Sequence, residues 1–161
     1  MIRVLNIKDA KELLDIYNYY VLNTTATFDI EPIKIEAFTE KLVLISSEYP
    51  FIVYEEENEI LGYAYGSQFR PRAAYNYVAE STVYVKHTAH GKQIGTKLYA
   101  ELIRLLKETD LHSVLGVLTI PNEGSIKLHE KFGFEQVANL KEVGFKFGEW
   151  LNVGIWQLKL K

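Results

Sequence analysis

A chain of 161 residues with 48% apolar and 24% charged side chains has the size and composition of one folded domain with a real core, expected to span residues 1–161. Its formal charge of -3 supplies no basic field, which sets nucleic acid aside as a partner, and no run of about 18 apolar residues is present to cross a membrane. The lack of cysteine excludes a disulfide framework, a thiolate metal site and a cysteine nucleophile. The start, MIRVLNIKDAKELL, places charges where a signal peptide needs an apolar core, so a soluble cytoplasmic protein is expected.

In chain order, Ile2 to Ile7 reads as a short strand. From Lys8 the apolar positions Ala10, Leu13, Leu14, Tyr17 and Val21 recur at helical spacing. A loop through Thr24–Phe28 and Pro32 leads to a second helix around Ile35–Ser46. Phe51–Tyr54 and Ile60–Tyr65 read as strands joined by the acidic turn Glu55-Glu56-Glu57-Asn58. The polar, aromatic stretch Gln68–Asn76 is a loop, and a strand follows from about Val78 to Val85. His90–Gly95 opens a third helix with the stripe Ile94, Leu98, Leu102, Leu105 and Leu106, and Val114–Ile120 is a buried strand. Pro121-Asn122 begins a fourth helix that Gly133 stops, and strands near Gln136–Glu142 and Leu151–Leu160 end the chain. The order β-α-α-β-β-β-α-β-α-β-β predicts a mixed sheet covered by helices, an α/β (α+β) class.

The strand over Glu80–Val85 carries the first chemical signal. Side chains alternate along a strand, so Glu80, Thr82 and Tyr84 share one face, while Ser81, Val83 and Val85 share the other. A carboxylate on a strand in the middle of a small α/β domain points either to a catalytic site or to an ion pair with Arg70 or Arg72. The segment His90-Gly91-Lys92-Gln93-Ile94-Gly95-Thr96 then enters a helix, whose N-terminal N–H groups suit phosphate oxygens; its glycines serve equally well to ease a strand-to-helix turn. Other phosphate and nucleophile motifs are excluded by inspection. Gly91-Lys92 is followed by Gln93 rather than Ser or Thr, and neither Gly-x-Gly-x-x-Gly nor Gly-x-Ser-x-Gly occurs. The four histidines show no paired metal-ligand spacing, so no metal is expected.

Taken together, Phe28-Asp29-Ile30-Glu31-Pro32, Arg70-Pro71-Arg72-Ala73-Ala74-Tyr75, Ala79-Glu80-Ser81-Thr82-Val83-Tyr84-Val85, Pro121-Asn122-Glu123-Gly124-Ser125 and Gly144-Phe145-Lys146 carry a resemblance over essentially the whole chain. The sequence resembles the GNAT acetyltransferase superfamily, and within it the phosphinothricin/methionine sulfoximine N-acetyltransferases. The superfamily's pyrophosphate loop, Arg/Gln-x-x-Gly-x-Gly/Ala, is matched by His90-x-x-Gln93-x-Gly95, with His90 and Gln93 as departures. Gln93 fits that place if its φ is negative, as in the first turn of a helix.

The resemblance implies a GNAT-like mixed, mostly antiparallel sheet of about seven strands with about four helices. It implies acetyl-CoA as co-substrate and transfer of its acetyl group to a small amino-acid-like acceptor. By similarity, the main chain of Val83, Tyr84 and Val85 pairs with the pantetheine arm, and Gly91, Lys92, Gln93, Ile94, Gly95 and Thr96 hold the pyrophosphate. Asn122 lies near the thioester, is a helix N-cap, or does both. Phe28, Arg70, Arg72, Tyr75 and Thr82 face the acceptor, the arginines offering forks to an acidic group. Glu80 matches the proposed general base, acting directly or through water. His129 stands where the superfamily often has a proton-donating Tyr; a structural role is favoured. Phe147 replaces a common His and suggests an altered acceptor pocket. The aromatic stretch Phe145–Trp156 is either core and sheet edge or part of a homodimer interface. Polyamine, aminoglycoside or peptide acceptors, and a non-catalytic acyl-CoA sensor, are the alternatives that Arg70, Arg72 and Glu80 argue against.

Overall fold

The computed structural model describes residues Met1–Lys161. Strand β1 (Ile2–Val4) is followed by helices α1 (Ala10–Asn23) and α2 (Ile35–Glu48), then by strands β2 (Phe51–Glu56), β3 (Glu59–Gln68) and β4 (Val78–Val85). Helix α3 (Ile94–Lys107), strand β5 (Ser113–Ile120), helix α4 (Glu123–Lys131) and strands β6 (Glu135–Lys146) and β7 (Glu149–Lys159) complete the chain. The seven strands form one sheet in the order β1-β2-β3-β4-β5-β7-β6. Every neighbouring pair is antiparallel except β4 and β5. This is the mixed, mostly antiparallel sheet with four helices that the sequence predicts.

The helices are held by their apolar faces. On one side of the sheet α1 buries Leu13, Leu14, Tyr17 and Val21, and α2 buries Phe38, Leu42 and Ile45, against Phe51, Val53, Tyr63 and Tyr65. On the other side α3 buries Ile94, Leu98, Tyr99, Leu102 and Leu106 against Ala64, Ala79, Val114 and Trp156. The sheet therefore separates two cores, and β3 is buried over seven consecutive residues. Strand β4 shares in this: Val83 and Val85 pack on the α3 core, while Tyr84 packs among Tyr17, Tyr20 and Tyr63.

Several boundaries differ from the sequence reading, each for a local reason. The first strand ends at Val4, not Ile7, because Asn6 caps a short 3-10 turn: its Oδ1 accepts from Lys8 N–H at 3.0 Å, and Asp9 returns a carboxylate to Asn6 N–H at 2.8 Å. Strands β2 and β3 run further into the acidic segment and turn through two left-handed residues, Glu57 (φ 52°) and Asn58 (φ 63°). The same two-residue turn, Phe147 (φ 52°) and Gly148 (φ 74°), joins β6 to β7. β6 continues through a bulge at Leu140–Gly144, where Glu142 N–H bonds Asn152 Oδ1 at 2.8 Å; the polar bulge hides this continuity from the periodicity. α3 begins at Ile94, after the loop that carries His90–Gln93. No helix is long and apolar enough to cross a membrane.

Candidate active site

The site arises from a split in the sheet. β4 and β5 pair in parallel over three residues only, Val78 to Glu80 against Ser113 to Leu115, although both strands continue. Lys86 N–H bonds Leu61 O, so by antiparallel alternation Val83 and Val85 turn their peptide groups away from β3 and into the gap. From the other edge, Leu160 N–H bonds His112 O, which by the same alternation leaves the peptide groups of Leu115, Val117 and Thr119 facing β4. Where the main-chain ladder stops, a side chain takes over: Ser81 Oγ donates to Leu115 O at 3.3 Å and is itself met by the Tyr99 hydroxyl. Beyond this pin the strands diverge as a wedge, part of a cleft of about 610 Å³. Two rows of peptide groups with no main-chain partner are what an extended, amide-bearing chain needs in order to add as a strand.

At the wide end of the wedge lies the start of α3. No side chain caps this helix, and its first internal hydrogen bond runs from Lys97 N–H to Gln93 O, so the N–H groups of Ile94, Gly95 and Thr96 are free for an anion. A Cβ on Gly95 would lie at ordinary contact distance from Val85 (3.5 Å) and Leu128 (4.0 Å), inside the cleft between β4 and α4. The missing side chain leaves room for a ligand rather than for packing. The geometry fits a pyrophosphate on these amides and a pantetheine arm along the wedge.

One expectation is corrected here. Gln93 has φ 59° and ψ 22°, a left-handed conformation, rather than the negative φ of a helical first turn. It is the residue before the helix, and the chain must reverse there to aim three N–H groups into the cleft; Gly91, at φ 86°, shares the reversal. The position asks for glycine, and Gln occupies it at a backbone cost of about 1–2 kcal/mol.

Glu80 sits at the apex, the last paired residue before the split. Its side chain lies on the face opposite Ser81, lines the cleft with Thr82 and Tyr84, and is in no ion pair with Arg70 or Arg72. Burial pushes its carboxyl above the usual carboxylate range, partly countered by the Lys41 ammonium on α2. Phe28 and Thr27 close the cleft beside it, fixed by two contacts from β6. Lys146 Nζ donates to Thr27 O at 2.8 Å, and the Phe28 ring occupies the space above Gly144 that a Cβ would fill.

Asn122 is the N-cap of α4, its Oδ1 accepting from Ser125 N–H at 3.2 Å, and the residue also lines the cleft. His129 is 2% exposed. Its Nδ1 donates to Ser125 O at 2.7 Å, since a carbonyl only accepts, and burial lowers its pKa, so Nε2 is an acceptor without a proton. A Cβ built on Gly116 would collide with that Nε2 and with Cδ2, because this edge of the imidazole lies over Gly116 on β5. Gly116→Ala is therefore expected to lower unfolding free energy by about 1–3 kcal/mol, read from the urea midpoint; an unchanged midpoint would show that His129 is free to move aside.

Of the residues that the sequence proposes, the cleft brings together Phe28, Glu80, Thr82, Val83, Tyr84, Val85, Gly91, Gln93, Ile94, Gly95, Thr96 and Asn122. Lys92 points outward, 3.8 Å from Glu56. Arg70, Arg72 and Tyr75 lie on the β3–β4 loop outside this chain's cleft, with Arg70 stacked on Phe69 and Tyr75. Phe147 is in the β6–β7 turn, 59% exposed and away from the cleft. The sequence reading missed Tyr20, Thr27, Ser81 and Tyr99; Ser81 could have been found as the residue following the carboxylate on the splitting strand.

This geometry has known counterparts. Residues 2–154 match the model of the acetyltransferase (GNAT) domain family. The chain belongs to the GNAT acetyltransferases. A phosphinothricin N-acetyltransferase of Streptomyces coelicolor is 40% identical over 157 residues, covering 95% of this chain and 92% of that one. An L-methionine sulfoximine/L-methionine sulfone acetyltransferase of Salmonella typhimurium is 34% identical over 163 residues, covering 99% and 94%. The crystal structure of a GNAT superfamily phosphinothricin acetyltransferase from Sinorhizobium meliloti, in complex with acetyl-CoA, superimposes with a TM-score of 0.96 at 32% identity, over 99% of this chain and 87% of that one. The GNAT acetyltransferase described here is thus an acetyl-CoA-dependent N-acetyltransferase.

Proposed function

We propose that this acetyltransferase, as a single domain over residues 1–161, acetylates the α-amino group of a small anionic amino acid of the methionine sulfoximine, methionine sulfone or phosphinothricin type, by direct attack in a ternary complex. The observation that carries this reading is Glu80: a half-buried carboxylate with no ion-pair partner, at the point where the two strands part. Bound acetyl-CoA supplies a thioester carbonyl for the acceptor nitrogen to attack. Glu80, its basicity raised by burial, takes the ammonium proton directly or through one water. The peptide N–H of Val83, directed into the wedge, meets the negative charge that develops on the carbonyl oxygen. Collapse of the tetrahedral adduct breaks the C–S bond and releases the coenzyme A thiolate, which takes the second proton from the former ammonium nitrogen; His129 holds its Nδ1 proton on Ser125 and is not assigned this step.

The names of the relatives support the acceptor class; the cationic, aromatic loop of Arg70, Arg72 and Tyr75 suits an acidic group but lies outside the cleft of its own chain. We also assign a homodimer. Val137, Leu140, Val143, Phe145, Phe147 and Trp150 are all at least 45% exposed along the β6–β7 hairpin, an apolar strip that a second copy would cover.

The acceptor is tested by thiol release from acetyl-CoA across a panel of amino acids, their sulfoximine, sulfone and phosphinate analogues, polyamines and aminoglycosides. Selective turnover of the anionic α-amino acids is expected. Turnover confined to the cationic amines would reverse the assignment, and silence throughout with acetyl-CoA still bound would favour a sensor.

A further inference from the structure

The C-terminal end of α1 grips the loop before α3 at two points. Tyr19 stacks face to face on His87, with ring centroids 3.7 Å apart and an interplanar angle of 6°. Tyr20, one residue on, reaches further. Its hydroxyl bonds Val85 O, on the wedge strand, and lies 2.9 Å from His90 Nε2, at the first position of the phosphate loop. Protons assign the roles. The carbonyl only accepts, so the phenol hydrogen goes to Val85 O, and toward His90 the phenol oxygen accepts from Nε2–H. Burial pushes the Tyr20 hydroxyl up to about 12, so it stays protonated. Tyr20, Val85 and His90 all line the cleft.

We propose that Tyr20 is a cofactor-positioning residue: through His90 it ties the phosphate loop to the strand that carries the pantetheine arm, fixing the distance between the two halves of the acetyl-CoA site. The loop holds Gln93 in a strained left-handed conformation, and an imidazole anchored through one nitrogen sets the loop's position. The inference rests on the placement of acetyl-CoA in the wedge.

The test compares acetyl-CoA with S-acetylpantetheine, which lacks the pyrophosphate. In the unaltered enzyme acetyl-CoA should have the lower KM; equal values would remove the pyrophosphate site itself, a failure distinct from that of the tie. Tyr20→Phe keeps the ring and deletes the hydroxyl. It is expected to raise the KM for acetyl-CoA about threefold to tenfold, the worth of one or two hydrogen bonds, with kcat unchanged. The KM for S-acetylpantetheine should move less than twofold. His90→Ala should reproduce the loss, and the double variant should lose no more than either single one. Tyr19→Phe, on the same helix, serves as the control and should leave both values unchanged. Equal losses for the two thioesters would reduce Tyr20 to a packing residue, and an unchanged or lower KM for acetyl-CoA would overturn the proposal.

Discussion

Glu80→Gln is expected to leave acetyl-CoA binding intact while lowering kcat/KM for the acceptor by about 10²–10⁴-fold, the range of a positioned general base. Gln keeps the shape and a hydrogen-bonding oxygen but cannot take a proton from an ammonium. The same substitution should stabilise the fold at neutral pH. Burial raises the carboxyl pKa in the folded protein above its unfolded value, so the folded state binds that proton more tightly. The stability linked to it is present at low pH and is lost as pH rises through the raised pKa. At pH 7 the enzyme therefore carries an ionised, half-buried carboxylate that disfavours folding, and Gln removes it. Thermal unfolding should show a higher midpoint for the variant at pH 7 and a smaller gain at pH 4. For the native enzyme, kcat/KM should climb with pH along an acidic limb centred above the usual carboxylate range. A variant that is both slow and less stable would mean that Glu80 is a structural residue with its own partners.

Gly95→Val should do the reverse, keeping the catalytic carboxylate and removing the cofactor. The protein itself leaves room: the added Cβ meets Val85 and Leu128 at ordinary distances, and replacing glycine in a first helical turn does not weaken the helix. The valine methyls extend further into the cleft between β4 and α4, which the start of α3 also lines. Loss of two charge-assisted hydrogen bonds at about 1.5–3 kcal/mol each predicts at least a hundredfold weaker binding of acetyl-CoA by calorimetry, with the unfolding midpoint preserved. Unimpaired binding would move the pyrophosphate to another part of the cleft.

How much of this was legible beforehand depends on the range of the interaction. The alternation along Glu80–Val85 separates the carboxylate-bearing face from the face of Val83 and Val85 with no tertiary information, because strand geometry fixes it. The stripe of α3 is similarly local, and the glycines of the loop mark the turn from strand to helix. The wedge itself is not local. It exists because β4 and β5 stop pairing after Glu80 and Leu115, a matter of two strands diverging rather than of either sequence. The sign of φ at Gln93 was misread for a related reason, since the loop's reversal is set by where α3 must start to face the cleft. Tyr20 stayed hidden because its partners lie 65 and 70 residues away. The fit of Phe28 over Gly144, and of His129 over Gly116, joins residues that only the folded sheet brings together.

The central claim, direct acetyl transfer across the wedge, is tested most directly by an initial-rate matrix. Acetyl-CoA and L-methionine sulfoximine are varied together, and the intact mass of the enzyme is measured after incubation with acetyl-CoA alone. The account predicts intersecting double-reciprocal lines and an enzyme of unchanged mass, because both substrates must occupy the cleft at once and the chain contains no cysteine to carry the acetyl group. Parallel lines, with an acetyl group found on the protein and passed on to the acceptor, would contradict it.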